Sequence, residues 1–281
     1  MSYSESVVSF ECEGDQLMGI LSQPSTPTEC GVVIVVGGPQ YRIGSHRQFV
    51  LLARHIAEAG FAALRFDYRG MGDSSGKFRD FTAIDRDLRA AVDAIQRCNP
   101  KLQKVVVWGL CDAASAALFY APSDQRIVGL VLANPWVRTI AGEAQAYLSH
   151  YYRSRFLDIT FWKKIFTGQF DFFGSLTAFL SILKKAKRND VSVGTVKEVC
   201  LREKMYSAWD RFSGNVLVLL SGEDLTAKEF TDMVAASPRW RALLDYPRVT
   251  THKLPSANHT FSRTEWRNEV AAVTAKWIKS L

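Results

Sequence analysis

The feature that most constrains this chain is a recurring alternation. Six short strand-like runs, at 31–37 (GVVIVVG), 61–67 (FAALRFD), 104–108 (KVVVW), 128–133 (VGLVLA), 215–221 (NVLVLLS) and 248–254 (RVTTHKL), are separated by stretches of helical period. Most of these runs are apolar nearly throughout. A strand of that kind must be covered on both faces, and helices supplied between successive strands provide the cover in a largely parallel α/β sheet. Phe49, Leu52, Ala53 and Ile56 line one helix face before Gly60, and Leu88, Val92 and Ile95 do the same ahead of run 104–108. Val7 to Glu11 and Gln16 to Leu21, joined by Cys12-Glu13-Gly14-Asp15, predict an opening hairpin. Near the end, Ser262-Arg263-Thr264-Glu265 reads as a capping box, opening a helix that turns Trp266, Val270, Val273 and Trp277 inward.

One stretch interrupts the rhythm. Residues 137–213 contain no convincing strand and hold 14 of the 33 aromatic residues. A connection of that size is far beyond the usual few residues, so it predicts a helical cap. The expected organisation is an α/β core from 1–136 and 214–281 with the cap, 137–213, inserted. The charge follows the same division. Residues 137–213 carry 13 Lys and Arg against 7 Asp and Glu, a net of +6 out of the chain's +7.

Composition excludes several classes. With 47% hydrophobic residues the chain can bury a core, which rules out intrinsic disorder. No apolar run is long enough to span a bilayer, and the first residues lack the pattern of a secretory signal, so a cytoplasmic protein is expected. The five cysteines, 12, 30, 98, 111 and 200, are odd in number and show no C-x-x-C spacing. That argues against a disulfide framework and a zinc site, and no metal or cofactor is expected.

The sharpest chemical signal is Lys104-Val-Val-Val-Trp-Gly109-Leu110-Cys111-Asp112-Ala113-Ala114-Ser115. A strand ends at a glycine and an Ala-rich helix starts just past Cys111. A nucleophile elbow needs this arrangement, because its turn is so tight that small residues must flank the nucleophile. Here the pattern is G-x-C-x-A, with cysteine as the candidate nucleophile; the alternative is a buried cysteine serving as a small hydrophobe. Gly72-Asp73-Ser74-Ser75-Gly76 matches G-x-S-x-G by letter. It sits in turn-rich sequence with no helix directly after it, so Ser74 is expected to be a loop residue.

With these pieces in view, the chain resembles an α/β-hydrolase-fold protein over its full length apart from the cap. The matching parts are Val36-Gly37-Gly38-Pro39-Gln40, Arg69-Gly70-Met71-Gly72-Asp73-Ser74, the elbow, Gly222-Glu223-Asp224 and Asn258-His259-Thr260-Phe261. More narrowly, GGPQYRIGSHRQF, GLCDAASAAL, SGEDLTAKEF and NHTFS resemble the exosortase A system-associated hydrolases of the first type, which accompany bacterial exopolysaccharide and protein-sorting loci. Cysteine at the elbow is similar to the nucleophile of dienelactone hydrolases and polyester synthases.

The resemblance implies a triad in the chain order nucleophile, acid, base. His259 lies on the loop between the last strand and the last helix. Of the five histidines, it alone has the topology of the base; His55, His150 and His252 do not, and His46 is a candidate for lining the pocket. Asp224, after run 215–221, is the natural acid, although it lies two residues after Gly222 where relatives often use three; Glu223 is the alternative. The other position for the acid, after run 128–133, offers only Asn134-Pro135. For an oxyanion hole, the backbone N–H of Asp112 is one donor, and the Val36–Gln40 loop, similar to the HGGPG loop of proline iminopeptidases, nominates Gly38, with Gln40 as fallback. Pro39 has no N–H to give. The Asp112 side chain is expected to point away from the sulfur or to pair with a cation. Trp136 and Trp162 join His46 as candidate pocket residues.

These readings predict a hydrolase of esters or thioesters acting on a small acyl substrate through Cys111. Acyl transfer by the same cysteine and a non-catalytic binding module are the alternatives. The basic, aromatic cap, densest at Lys163-Lys164 and Lys184-Lys185-Ala186-Lys187-Arg188, suits an amphiphilic or anionic substrate or peripheral contact with a membrane. It equally suits a solvated outer helix face. Nucleic acid is not an expected partner, since no binding motif accompanies the charge, and oligomeric state has no signature in the sequence.

Overall fold

The computed structural model describes residues 3–26, 28–38, 40–138 and 191–281. Among them eight strands form one sheet: β1 (Tyr3–Cys12), β2 (Asp15–Pro24), β3 (Cys30–Val35), β4 (Ala62–Asp67), β5 (Lys104–Leu110), β6 (Ile127–Ala133), β7 (Asn215–Glu223) and β8 (Val249–Asn258). Their order is β1-β2-β4-β3-β5-β6-β7-β8. The β1–β2 and β2–β4 pairs are antiparallel and every later pair is parallel. The opening hairpin closes on Glu13 and Gly14, both at positive φ (51° and 87°), which a two-residue turn between twisted strands requires.

Helices fill the connections as the alternation predicts. They are α1 (Gln48–Glu58), α2 (Asp85–Cys98), α3 (Asp112–Tyr120), α4 (Val191–Arg211), α5 (Leu225–Ala236), α6 (Pro238–Leu244) and α7 (Thr264–Ile278). Successive strand residues point to opposite faces. Val32, Ile34, Val106, Trp108, Val131 and Leu217 therefore share one face, packed with Phe49, Leu52 and Ile56 of α1 and with Val270, Ala271 and Trp277 of α7. Val33, Val35, Val105 and Val107 are equally buried and face the side covered by α2 and α3. Both faces are dry, which is why these strands read as unbroken apolar runs.

The capping box is not what opens α7. Arg263 stands at the N-cap without a side-chain cap bond. Ser262 is held instead by the preceding turn, where its N–H donates to Asn258 Oδ1 at 3.0 Å and its hydroxyl accepts from Asn258 Nδ2 at 2.7 Å.

The strand order positions a site. From β3 the chain steps outward to β4, then crosses back over β3 to β5. The carboxyl ends of β3 and β5 thus flank a topological switch point, where open α/β sheets form a crevice for ligands. The chain divides into two compact units, Met1–Trp136 with Met205–Leu281, which holds the sheet, and Val137–Lys204. Among the described residues no helix is long and apolar enough to cross a membrane.

Candidate active site

Cys111 lies between the end of β5 and the start of α3 with φ 63° and ψ −124°, a conformation that ordinary residues rarely adopt. Strain of this kind persists only where the surroundings fix it. The Cys111 N–H donates to Ala133 O at 2.9 Å, and its carbonyl accepts from Ala114 N at 3.1 Å and Trp136 N at 3.2 Å. Small residues make the turn passable. A Cβ on Gly109 would come 2.5 Å from Ala113 O and 2.6 Å from Ala114 N, both backbone atoms, so this position admits only glycine. All five cysteines are free thiols. Burial pushes the Cys12 and Cys30 thiols up to about 11, which keeps them inert. Cys111 is half-buried at the N-terminus of α3.

At the carboxyl ends of β7 and β8, His259 Nδ1 lies 3.0 Å from Asp224 Oδ1. Asp224 is the N-cap of α5, and its carboxylate also accepts the N–H groups of Thr226 (3.3 Å) and Ala227 (3.0 Å). Three donors fix its orientation. Beside it the β7–β8 register shifts, β8 running from Leu254 to Asn258 while β7 runs from Ser221 to Glu223. A Cβ on Gly222 would fall 1.9 Å from the carbonyl oxygen of Pro255, so glycine lets β7 and β8 close together there. Glu223, the neighbouring carboxylate, is exposed.

The turn that carries His259 is anchored by a residue that sequence reasoning passed over. Asn134, fully buried at φ 44° just after β6, donates from Nδ2 to the carbonyl of His259 (3.1 Å) and to Ser221 Oγ (2.9 Å). Its Oδ1 accepts the Ser221 N–H at 2.9 Å. The Ser221 hydroxyl continues to Asn258 O at 3.0 Å. Phe261, buried at φ 49°, completes the turn. The only signal in the sequence was an asparagine directly before a proline at a strand end.

The glycine loop is arranged differently from expectation. Gly38 N–H donates to both Oδ1 and Oδ2 of Asp112, each at 2.9 Å, and Ala113 N–H donates to Oδ1 at 2.9 Å. Gln40 N–H donates to Gly38 O at 2.8 Å. The Asp112 carboxylate is therefore turned into the loop and satisfied by backbone N–H groups. Burial pushes its carboxyl up, those N–H groups pull it back, and the Asp80 carboxylate adds to the rise.

The remaining candidates are spread out. His46 is exposed, at φ 53° in the turn before α1. Trp136 is half-buried beside the elbow, and Ser115 Oγ donates to its carbonyl at 2.6 Å. Trp162 lies outside the described residues. Ser74 is a loop residue, its hydroxyl donating to Asp67 O at 2.6 Å and accepting Met18 N–H at 2.9 Å. Among the described residues no group of three or more His, Cys, Asp and Glu is placed to hold a metal ion.

Comparison with known proteins adds the family context. The sequence profile of the Alpha/beta hydrolase family matches residues 32–273. The quorum-quenching protein AidA of Acinetobacter baumannii is 30% identical over 137 residues, 46% of this chain and 43% of that protein. A Rickettsia prowazekii protein of uncharacterised function is 26% identical over 126 residues, 44% of this chain and 53% of that one. The match thus spans about half the length of these curated relatives. Among solved structures, the Pyrococcus furiosus esterase Pf2001 superposes with a TM-score of 0.67 at 15% identity, covering 99% of this chain and 93% of that one. The Butyrivibrio proteoclasticus protein Est1E, bound to ferulic acid, gives 0.62 at 18% identity, with 97% and 98% covered. These likenesses establish the fold.

Proposed function

Because the chain belongs to the alpha/beta hydrolase family, we propose that it cleaves an ester or thioester bond through a Cys111–His259–Asp224 triad and a thioester acyl-enzyme. The observation that carries this reading is the 3.0 Å contact between His259 Nδ1 and Asp224 Oδ1, on a sheet whose elbow holds Cys111 at φ 63°. A carboxylate on Nδ1 fixes the tautomer that leaves Nε2 free to take a proton, and it stabilises the imidazolium that results.

The chemistry runs in two halves. His259 accepts the Cys111 proton as the thiolate attacks the acyl carbon, and the imidazolium then protonates the departing alkoxide or thiolate. The acyl group is left on sulfur. His259 next takes a proton from water, the hydroxide attacks the thioester, and the thiol leaves with the proton returned to it.

Residues 137–213, inserted between β6 and β7, are read as a cap whose basic and aromatic composition suits an amphiphilic acyl substrate with an anionic group. The resemblance to exosortase-associated hydrolases supports reading the protein as linked to bacterial exopolysaccharide or protein-sorting systems.

The test compares wild type with Cys111→Ala on p-nitrophenyl butyrate and on a short acyl thioester, with intact-mass spectrometry of briefly treated protein. The expected result is turnover and a butyryl adduct in wild type and neither in the variant. Unchanged turnover in Cys111→Ala would overturn the reading.

A further inference from the structure

One of the backbone donors that an acyl oxyanion would need is taken in this structure by the protein's own carboxylate. An oxyanion beside the elbow calls for the N–H after the nucleophile and one from the loop following β3. The loop N–H, on Gly38, is spent on both oxygens of Asp112, and the Ala113 N–H at the head of α3 on one of them. The seat is shaped for this group. A Cβ on Gly37 would lie 2.2 Å from Asp112 Oδ1, so the missing side chain at residue 37 is what lets the carboxylate in. Gly38 has φ 59°, the backbone conformation that turns its N–H toward the helix. The charged neighbour acting on Asp112 is Asp80, itself an acid, and the Tyr68 phenol, also buried, feels both carboxylates. The carboxylate is thus held by backbone dipoles, which would serve any small oxyanion equally well.

We propose that Asp112 is a built-in occupant of the anion pocket beside Cys111, holding the site in a low-activity state, and that the vacated pocket binds small monocarboxylates and acyl oxyanions. One N–H cannot point at a carboxylate and at a developing oxyanion together, and the negative charge of Asp112 repels that oxyanion. Acyl chemistry at Cys111 therefore proceeds after the carboxylate has swung out of its seat. The inference on turnover rests on the reading of Cys111 as nucleophile; the inference on anion binding does not.

The experiment uses the full chain as wild type, Asp112→Ala, Asp112→Asn and the double variant Cys111→Ala/Asp112→Ala. Each is assayed on p-nitrophenyl butyrate with increasing sodium acetate at constant ionic strength, and its Tm is measured with and without acetate. A single oxyanion donor is worth about 10²–10³ in kcat, so Asp112→Ala is expected to gain at least about tenfold. Acetate is expected to inhibit that variant competitively and to raise its Tm, leaving wild type unaffected, because a ligand that binds only the folded state stabilises it. Asp112→Asn, which keeps an acceptor but loses the charge, is expected to gain less, and it carries the test if Asp112→Ala does not fold. Folded variants that are no faster than wild type, or slower, overturn the low-activity state and make Asp112 a fastener for the glycine loop. Equal acetate response in wild type and Asp112→Ala overturns the pocket. A gain that survives in the double variant leaves the pocket standing and removes Cys111 from the mechanism.

Discussion

Asn134 Nδ2 donates to the backbone carbonyl of His259 at 3.1 Å, joining two residues 125 positions apart in the chain. The same side chain holds Ser221 by both its N–H and its hydroxyl. One buried amide therefore sets the height of the imidazole relative to the ends of β6 and β7. Asn134→Ala strands the Ser221 N–H without its acceptor, at a cost of about 1–3 kcal/mol in urea unfolding. Below its Tm, the variant is expected to lose kcat with little change in KM, since His259 shifts while the substrate surface does not. Equal losses in stability and KM with kcat preserved would make Asn134 purely structural.

Asp224 and Glu223 are adjacent carboxylates with opposite surroundings, one buried on His259 and two backbone N–H groups, the other exposed. Asp224→Asn is expected to lower kcat by about 10³–10⁴, because an amide no longer fixes the imidazole tautomer. Glu223→Gln is expected to remain close to wild type. Steady-state kinetics on one ester suffices, and a larger loss in Glu223→Gln would transfer the acid to Glu223.

Ser74 provides a control for the nucleophile. Its hydroxyl ties β2 to the carboxyl end of β4 through Met18 N–H and Asp67 O. Ser74→Ala is expected to lose about 1 kcal/mol of stability and to keep its activity. Loss of turnover in a fully folded Ser74→Ala protein would contradict its placement as a loop residue.

Acid sensitivity has an identifiable source outside the site. Burial pushes the Asp124 carboxyl up, but hydrogen bonds with the Arg126 guanidinium and the Tyr120 hydroxyl outweigh burial and leave it at about 2. Arg126 Nε and Nη2 lie 2.8 and 2.6 Å from its two oxygens. An unfolded aspartate titrates near 3.9, so the folded state binds its proton later on acidification. Stability from this group, about 2 kcal/mol, is complete above pH ~4 and is lost as pH falls through the interval from ~4 to ~2. Asp124→Asn should be less stable than wild type at pH 7, and the gap should narrow at pH 3 in urea melts.

What the sequence could reveal was local or periodic. Every predicted strand appears within a few residues of its expected place; the apolar runs of β3 to β7 suit a sheet covered on both sides, whereas β1 and β8 are largely exposed. Gly109 before Cys111 marked the elbow, since the turn excludes a Cβ. What escaped depended on atoms distant in sequence. Asn134 read as a missing acid, because its partners Ser221 and His259 lie 87 and 125 residues away. Asp112 was expected to point away from the sulfur or to pair with a cation. That backbone N–H groups of the glycine loop hold its carboxylate depends on the space left at Gly37 and the direction of Gly38 N–H, and neither is visible in residue types. Ser262 and Glu265 had the letters of a capping box, but the Asn258 side chain claims Ser262 first.

The short segment Asn134–Trp136 has a consequence for how the site is held. Asn134 is tied to Ser221 and His259, Trp136 N–H to Cys111 O, and Trp136 O to Ser115 Oγ, all before residue 137. The polypeptide leaves the sheet from a moored point, much as a bridge deck leaves its abutment. Whatever follows residue 136, the turn that carries His259 and the elbow that carries Cys111 are tied to this segment by its own hydrogen bonds, within three consecutive residues.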